Sequence, residues 1–111
     1  MQYPDDENGD VFRRMERDSF DFTKPHEVEF FAVFRDEVMA DLVARQYAAD
    51  QKAGELLTNI ETRPAEQGGM ELELVISMLV THANVTAFEA KLAERVSHHD
   101  GYLDGWGVLQ K

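Results

Sequence analysis

The chain contains four histidines, the residues whose side chains are chemically most versatile: His26, His82, His98 and His99. Imidazole binds transition metals and exchanges protons near neutral pH. Only His98 and His99 are close in sequence, and neighbouring residues of a helix point in different directions, so they lack the i, i+4 spacing that a metal site favours. The pattern predicts no metal site. It favours surface histidines near a helix C-terminus, where positive charge is stabilising.

Carboxylates are abundant, with 22 Asp and Glu residues. A catalytic pair needs one carboxyl group in an apolar pocket that shifts its pKa, and the sequence indicates no such pocket. Phosphate-binding loops of the Gly-x-Gly-x-x-Gly or Walker type are absent, and cysteine is absent too, which removes thiolate nucleophiles and disulfides. We therefore expect a protein that is not an enzyme and needs no cofactor. The alternative is a ligand-binding or catalytic domain with a pocket between its sheet and helices.

The charge balance narrows the class of partner. Against the 22 acidic side chains stand 11 basic ones, which gives a formal net charge of -11. This charge repels nucleic-acid phosphates and anionic lipid head groups, so we expect no direct nucleic acid, no membrane, and a basic or neutral partner. The length of 111 residues predicts a single domain over 1–111, with 1–8 flexible. The acidic N-terminus does not resemble a signal peptide, and the predicted compartment is the cytoplasm.

Hydrophobic spacing predicts the elements that position these side chains. They are a short helix capped by Asp10 and ending near Asp18 or Ser19, a strand over 26–34, and a helix capped by Asp36 that runs to about Lys52 and ends at Gly54. A hairpin with strands over 55–63 and 70–80 follows, then a helix after His82 and a last strand that carries the only tryptophan. This order contains the split βαβ pattern. We predict an α+β fold, a ferredoxin-like sandwich with a four-stranded antiparallel sheet, two helices on one face and a short N-terminal helix.

One face of such a sheet stays open, and its residues are the candidate site. The two central strands present Glu29, Phe31, Glu71 and Glu73 on that face, with Asp104 and Trp106 at its edge. RNA-recognition motifs share this arrangement but present aromatic and basic residues, whereas acidic residues repel phosphate. The face instead suits a basic protein segment, which would meet complementary charge. A solvated face without a partner is the alternative.

The segment Asp104–Gly107, with the sequence DGWG, frames the tryptophan with two glycines. Alternation places Trp106 and Val108 on one side of the last strand, and Gly105 and Gly107 on the other. Asp104 with Gly105 can form a β-bulge or a tight bend that aims the ring. Two roles stay open for Trp106, a staple that holds the last strand to the core and a direct contact with a partner.

Three stretches carry a family resemblance: DFTKPHEVEFFAVF at 21–34, THANVTAFEAKL at 81–92 and YLDGWGV at 102–108. The chain resembles the RraB family, the regulators of ribonuclease activity B, also called ribonuclease E inhibitor proteins. The resemblance runs from about Gly9 to Val108, and its most distinctive motif consists of Asp104, Gly105, Trp106 and Gly107. It implies a ferredoxin-like α+β fold and a non-enzymatic protein that binds ribonuclease E and lowers its activity on RNA. The expected partner is therefore a basic segment of ribonuclease E or of another RNA-processing protein.

Overall fold

The computed structural model describes residues 6–52, 57–66 and 68–109. Its elements are α1 (Glu7–Arg17), β1 (Pro25–Phe34), α2 (Glu37–Lys52), β2 (Leu57–Pro64), β3 (Met70–Leu79), α3 (His82–Ser97) and β4 (Gly101–Val108). Their order is the predicted one, and the fold is α+β. Residues 1–5 of the segment predicted to be flexible, and Gly54, the predicted end of α2, lie outside the described residues.

The strands form an antiparallel sheet with the order β2-β3-β1-β4. As predicted, β1 and β3 lie in the centre and β4 forms an edge beside β1. Phe30 is opposite Leu74 on one side and Trp106 on the other. Because side chains on a strand alternate between faces, this register fixes the face on which each residue of the site lies.

The three helices share one core with one face of the sheet. Strand β1 contributes Val28, Phe30, Ala32 and Phe34, and each is at most 1% exposed. The predicted alternation of β1 is confirmed. Further buried residues come from β3 and the helices, namely Leu72, Leu74, Ile76, Phe12, Val43, Val85, Leu92 and Val96. The opposite face of the sheet carries the candidate site.

Helix α1 begins earlier than the sequence indicated. Asp6 is the N-cap, and its carboxylate accepts a hydrogen bond of 2.6 Å from the backbone N–H of Gly9. The predicted cap, Asp10, lies in the first turn instead, so that prediction was wrong. Both aspartates have capping chemistry, but Asp6 also lies 3.1 Å from Nε2 of His82 in α3. This tertiary contact stabilises an extra turn that local sequence does not reveal.

Candidate functional site

The open face carries two rows of side chains across the sheet. One row runs from Phe31 of β1 through Glu73 of β3 to Glu61 of β2. The adjacent row runs from Val33 through Glu71 to Arg63. Glu29, Phe31, Glu71 and Glu73, all predicted site residues, therefore lie together on this surface, which we call the acidic face. Directly opposite residues lie about 5 Å apart, close enough for their side chains to interact.

Arg63 organises the carboxylates of the acidic face. Its guanidinium lies 3.2 Å from Glu61, 3.5 Å from Glu71 and 3.3 Å from Glu73. Burial opposes its positive charge, but the hydrogen bond to Glu73 and the nearby carboxylates outweigh burial and raise the pKa of Arg63. The sequence interpretation missed this residue. Its only signal was a single basic residue in a strand whose alternation is weak.

Glu29 is held differently from the other carboxylates. It is a diagonal neighbour of Glu73, because Glu29 is opposite Val75 while Glu73 is opposite Phe31. A hydrogen bond to Glu73 is the largest cause that raises the pKa of Glu29, and desolvation and the charge of Glu73 act in the same direction. A hydrogen bond between two carboxyl groups requires a proton on one of them.

Apolar side chains run through the acidic face. Val33 and Val75 belong to it but are only 8% and 4% exposed. Tyr102 lies opposite Val33 on β4 and is 62% exposed, and the sequence interpretation missed it. Phe31 is half-buried between these positions. The face thus joins negative charge to an apolar strip, a combination that suits a protein partner better than a phosphate backbone.

A β-bulge interrupts β4 at Asp104. Gly105 is opposite Phe31 and Leu103 is opposite Ala32, so Asp104 is the extra residue. Gly105 has a φ of 117°, which side chains of L-residues rarely adopt, and this accounts for a glycine at that position. Of the two predicted alternatives, a bulge or a tight bend, the structure has the bulge. It leaves Asp104 exposed at the edge of the acidic face.

Trp106 lies on the face opposite to the acidic cluster. Its ring packs 5.8 Å from the ring of the buried Phe12, and its Nε1 donates a hydrogen bond of 2.9 Å to Oδ1 of Asn8. Both partners belong to α1. The structure therefore separates Trp106 from Glu29, Phe31 and the acidic residues of β3, and it places the ring where it holds α1 against β4.

Comparison with known families places the chain among regulators of ribonucleases. Residues 5–108 match the RraB family, Regulator of ribonuclease activity B. The chain belongs to the RraB family. This family regulates ribonuclease activity, and the match covers the acidic face, the bulge and α1 together. No curated protein sequence matches the chain.

Other features of this RraB family member bear on alternative functions. Its histidines are dispersed: Nε2 of His26 lies 2.9 Å from the backbone oxygen of Asp21, and His82 contacts Asp6. Within 6–52, 57–66 and 68–109, no group of three or more His, Cys, Asp or Glu side chains is arranged to hold a metal ion. A groove of about 670 Å³ runs beside Phe20, His26 and Ser77, and neither Glu29 nor Glu73 lines it. No helix in the described part of the chain is long and apolar enough to cross a membrane.

Proposed function

We propose that this protein is a non-enzymatic regulator that binds a ribonuclease of the ribonuclease E type through the acidic face and lowers its activity on RNA. The observation that carries the proposal is the cluster of Glu29, Glu71 and Glu73 around an apolar strip, in a chain of the RraB family. The partner's contribution is a basic segment. No catalytic step by this chain is required.

Electrostatics supports inhibition by occlusion. A nuclease must attract the phosphates of RNA, and it does so with Lys and Arg side chains. The acidic face offers the same side chains an alternative anion, supported by a net charge of -11. A regulator bound there shields the basic segment and repels RNA from its surroundings. Encounter between such oppositely charged surfaces is also fast at low salt.

The pair formed by Glu29 and Glu73 carries a second argument for a cationic partner. Two neighbouring carboxyl groups repel each other when both are ionised, and an added positive charge relieves that repulsion. Arg63 already compensates Glu61, Glu71 and Glu73, whereas Glu29 lies at the end of the cluster nearest to β4. A Lys or Arg of the partner therefore forms its most favourable electrostatic interaction at Glu29.

The alternative function, a catalytic or ligand-binding domain, would use the same pair. A carboxyl group with a raised pKa is the property that a general acid needs. Glu29 and Glu73, however, lie on the face of the sheet that the helices leave uncovered, and a general acid normally works in an enclosed, water-poor site. This geometry favours the binding function.

The test is inhibition of ribonuclease E from the same organism by purified protein. Cleavage of a fluorogenic RNA is measured against increasing protein concentration for the native chain, for the double variant Glu29→Lys with Glu71→Lys, and for the control Glu37→Lys with Glu94→Lys. Both pairs change the net charge equally, but the control residues are exposed on α2 and α3. We expect the first pair to raise the half-inhibitory concentration at least tenfold and the control to change it less than threefold. The same loss in both would reduce the proposal to an effect of overall charge.

A further inference from the structure

The edge of β4 presents free backbone hydrogen-bonding groups. The N–H of Leu109 donates to the carbonyl oxygen of Glu27 at 2.9 Å, which makes 109 and 27 a hydrogen-bonded pair. In an antiparallel ladder such pairs alternate along the strands. Gly107 and Gly105 therefore also bond to β1, while the N–H and C=O groups of Trp106 and Val108 point away from the sheet. They are the groups to which an added strand bonds.

An apolar groove runs along this edge on the helix side. Its volume is about 330 Å³, and we call it the edge groove. Most of its wall is apolar, with Asp18 at the end of α1 as the one charged residue. The lining residues are Val11, Met15, Asp18, Phe20, Trp106, Gly107 and Val108. A strand that pairs with β4 turns every second side chain into the edge groove.

On the other side of the same edge, Gly105 and Gly107 leave the backbone of β4 without covering side chains. A Cβ at Gly105 would meet no atom within 4 Å, and the nearest atom to a Cβ at Gly107 is Oε1 of Glu29, at 3.8 Å. Side chains of an added strand on this side therefore cross the glycines without obstruction. A Lys or Arg opposite Gly107 reaches the carboxyl group of Glu29.

We propose that the partner binds by strand addition: an extended segment pairs antiparallel with Gly105–Leu109, its apolar side chains enter the edge groove, and a basic side chain crosses Gly107 to Glu29. This proposal rests on the proposed function and specifies the segment that the acidic face receives. The alternating apolar and basic pattern is the chemistry that the two sides of the edge require. The bulge at Asp104 ends the regular ladder, so the paired stretch is short.

A second copy of this chain fits the edge poorly. Its own β4, GYLDGWGV, contains neither Lys nor Arg to meet Glu29. Each copy also carries a formal net charge of -11, so association brings two strongly negative molecules together. A basic segment, in contrast, is attracted to this negatively charged surface.

Synthetic peptides test the mode of binding directly. The probe is an acetylated, amidated peptide of alternating valine and lysine, titrated while the fluorescence of Trp106, the only tryptophan, is recorded. In antiparallel addition the valine amides face β4 and the lysine amides face solvent. We expect N-methylation of the valine amides to weaken binding at least tenfold and N-methylation of the lysine amides to change it less than threefold. Equal affinities, or the reverse order, would overturn strand addition.

A matched pair of variants tests the edge groove. Val11→Asn makes its wall polar, and Val38→Asn makes the same change at a residue of α2 that is 64% exposed. We expect the first to weaken binding of the unmethylated peptide at least fivefold and the second to leave it unchanged. Hydrogen exchange of the native chain gives an independent readout, because the amides of Trp106 and Val108 should become protected when the peptide binds. Unchanged exchange of both amides at saturating peptide would contradict the proposal.

The two proposals fail in different ways. If the native chain does not bind ribonuclease E, the proposed function is wrong. The peptide titration still shows whether an extended segment pairs with β4. If Glu29→Lys with Glu71→Lys abolishes binding of ribonuclease E while Val11→Asn leaves it intact, the acidic face is the docking surface and strand addition is wrong.

Discussion

The indole Nε1 of Trp106 donates a hydrogen bond to Oδ1 of Asn8 across 98 positions of the chain. The amide nitrogen of Asn8 in turn donates to Oε1 of Glu89 at 2.6 Å. One asparagine thus joins β4, α1 and α3. The tryptophan ring adds apolar contact with Phe12, and together these contacts hold the N-terminal helix on the core.

Two replacements of Trp106 should therefore lower the stability of the protein by different amounts. Trp106→Phe keeps a ring but removes the donor to Asn8, and we expect it to lower the free energy of unfolding by about 1 kcal/mol. Trp106→Ala also removes the contact with Phe12 and should cost at least about 2 kcal/mol. Urea unfolding followed by far-ultraviolet circular dichroism measures both. Tyr102→Ala, on the exposed side of the same strand, is the control and should cost less than either. A Trp106→Ala protein as stable as the native chain would show that the ring is not a staple.

The carboxyl pair predicts a pH dependence of stability. The pKa of Glu29 is raised above its ordinary value of 4.5, so the folded state keeps this proton to a higher pH than the unfolded chain does. Its stabilising contribution is fully present below the ordinary value and is lost as the pH rises through the raised one. Glu29→Gln keeps a donor toward Glu73 without the charge. We expect the variant to match the native chain near pH 4 and to exceed it at pH 7, by less than about 1 kcal/mol.

Urea unfolding at both pH values checks this prediction. Glu66→Gln removes one charge from an exposed turn residue and serves as the control. A Glu29→Gln variant that is less stable than the native chain at pH 7 would show that Glu29 acts there as an ionised partner of Arg63.

Arg63 should affect stability and partner binding in opposite directions. Arg63→Gln leaves Glu61, Glu71 and Glu73 without their cation, and we expect about 1 kcal/mol less stability at pH 7. The same change makes the acidic face more negative, so affinity for ribonuclease E should rise, about threefold or more at low salt. Arg45→Gln, an exposed change of equal charge on α2, is the control for both measurements. Weaker binding by Arg63→Gln would mean that Arg63 contacts the partner.

The glycines of β4 should differ sharply in their tolerance of a methyl group. At Gly101 an added Cβ lies 2.6 Å from Cγ1 of Val96 and 2.8 Å from the ring of Phe34, so Gly101→Ala overpacks the core. We expect a loss of about 1–3 kcal/mol. At Gly107 the nearest atom is 3.8 Å away, and Gly107→Ala should be close to neutral. Thermal unfolding of the two variants makes the comparison, and equal melting temperatures would contradict it.

The sequence was sufficient to predict the strands whose two faces differ in hydrophobicity. In β1 the core residues Val28, Phe30, Ala32 and Phe34 recur at every second position, and this period alone predicts the strand and its inner face. The bulge was also predictable, because a glycine inside a strand commonly marks a bulge or a bend, and Gly105 follows Asp104 there. In β2 the alternation is weak, and the register shift between Leu57 and Asn59 accounts for part of that weakness.

The remaining features depend on register or on distant packing. The diagonal contact between Glu29 and Glu73 exists only because Phe31 is opposite Glu73, and a different register would place another residue there. The cap at Asp6 and the partners of Trp106 depend on where α1 docks. No periodicity within a short helix specifies a neighbour so far away in the chain.

The contacts of α1 also say when this helix can dock during folding. Asp6 contacts His82, 76 positions later, and Asn8 contacts Glu89 and Trp106, 81 and 98 positions later. Contacts that span such distances form late, because the intervening chain must first be ordered. Although α1 precedes α3 and β4 in the chain, we expect it to dock only after those two elements have formed. Burial of Phe12 in the core would then belong to a late stage of folding, since its helix is held there by residues far along the chain.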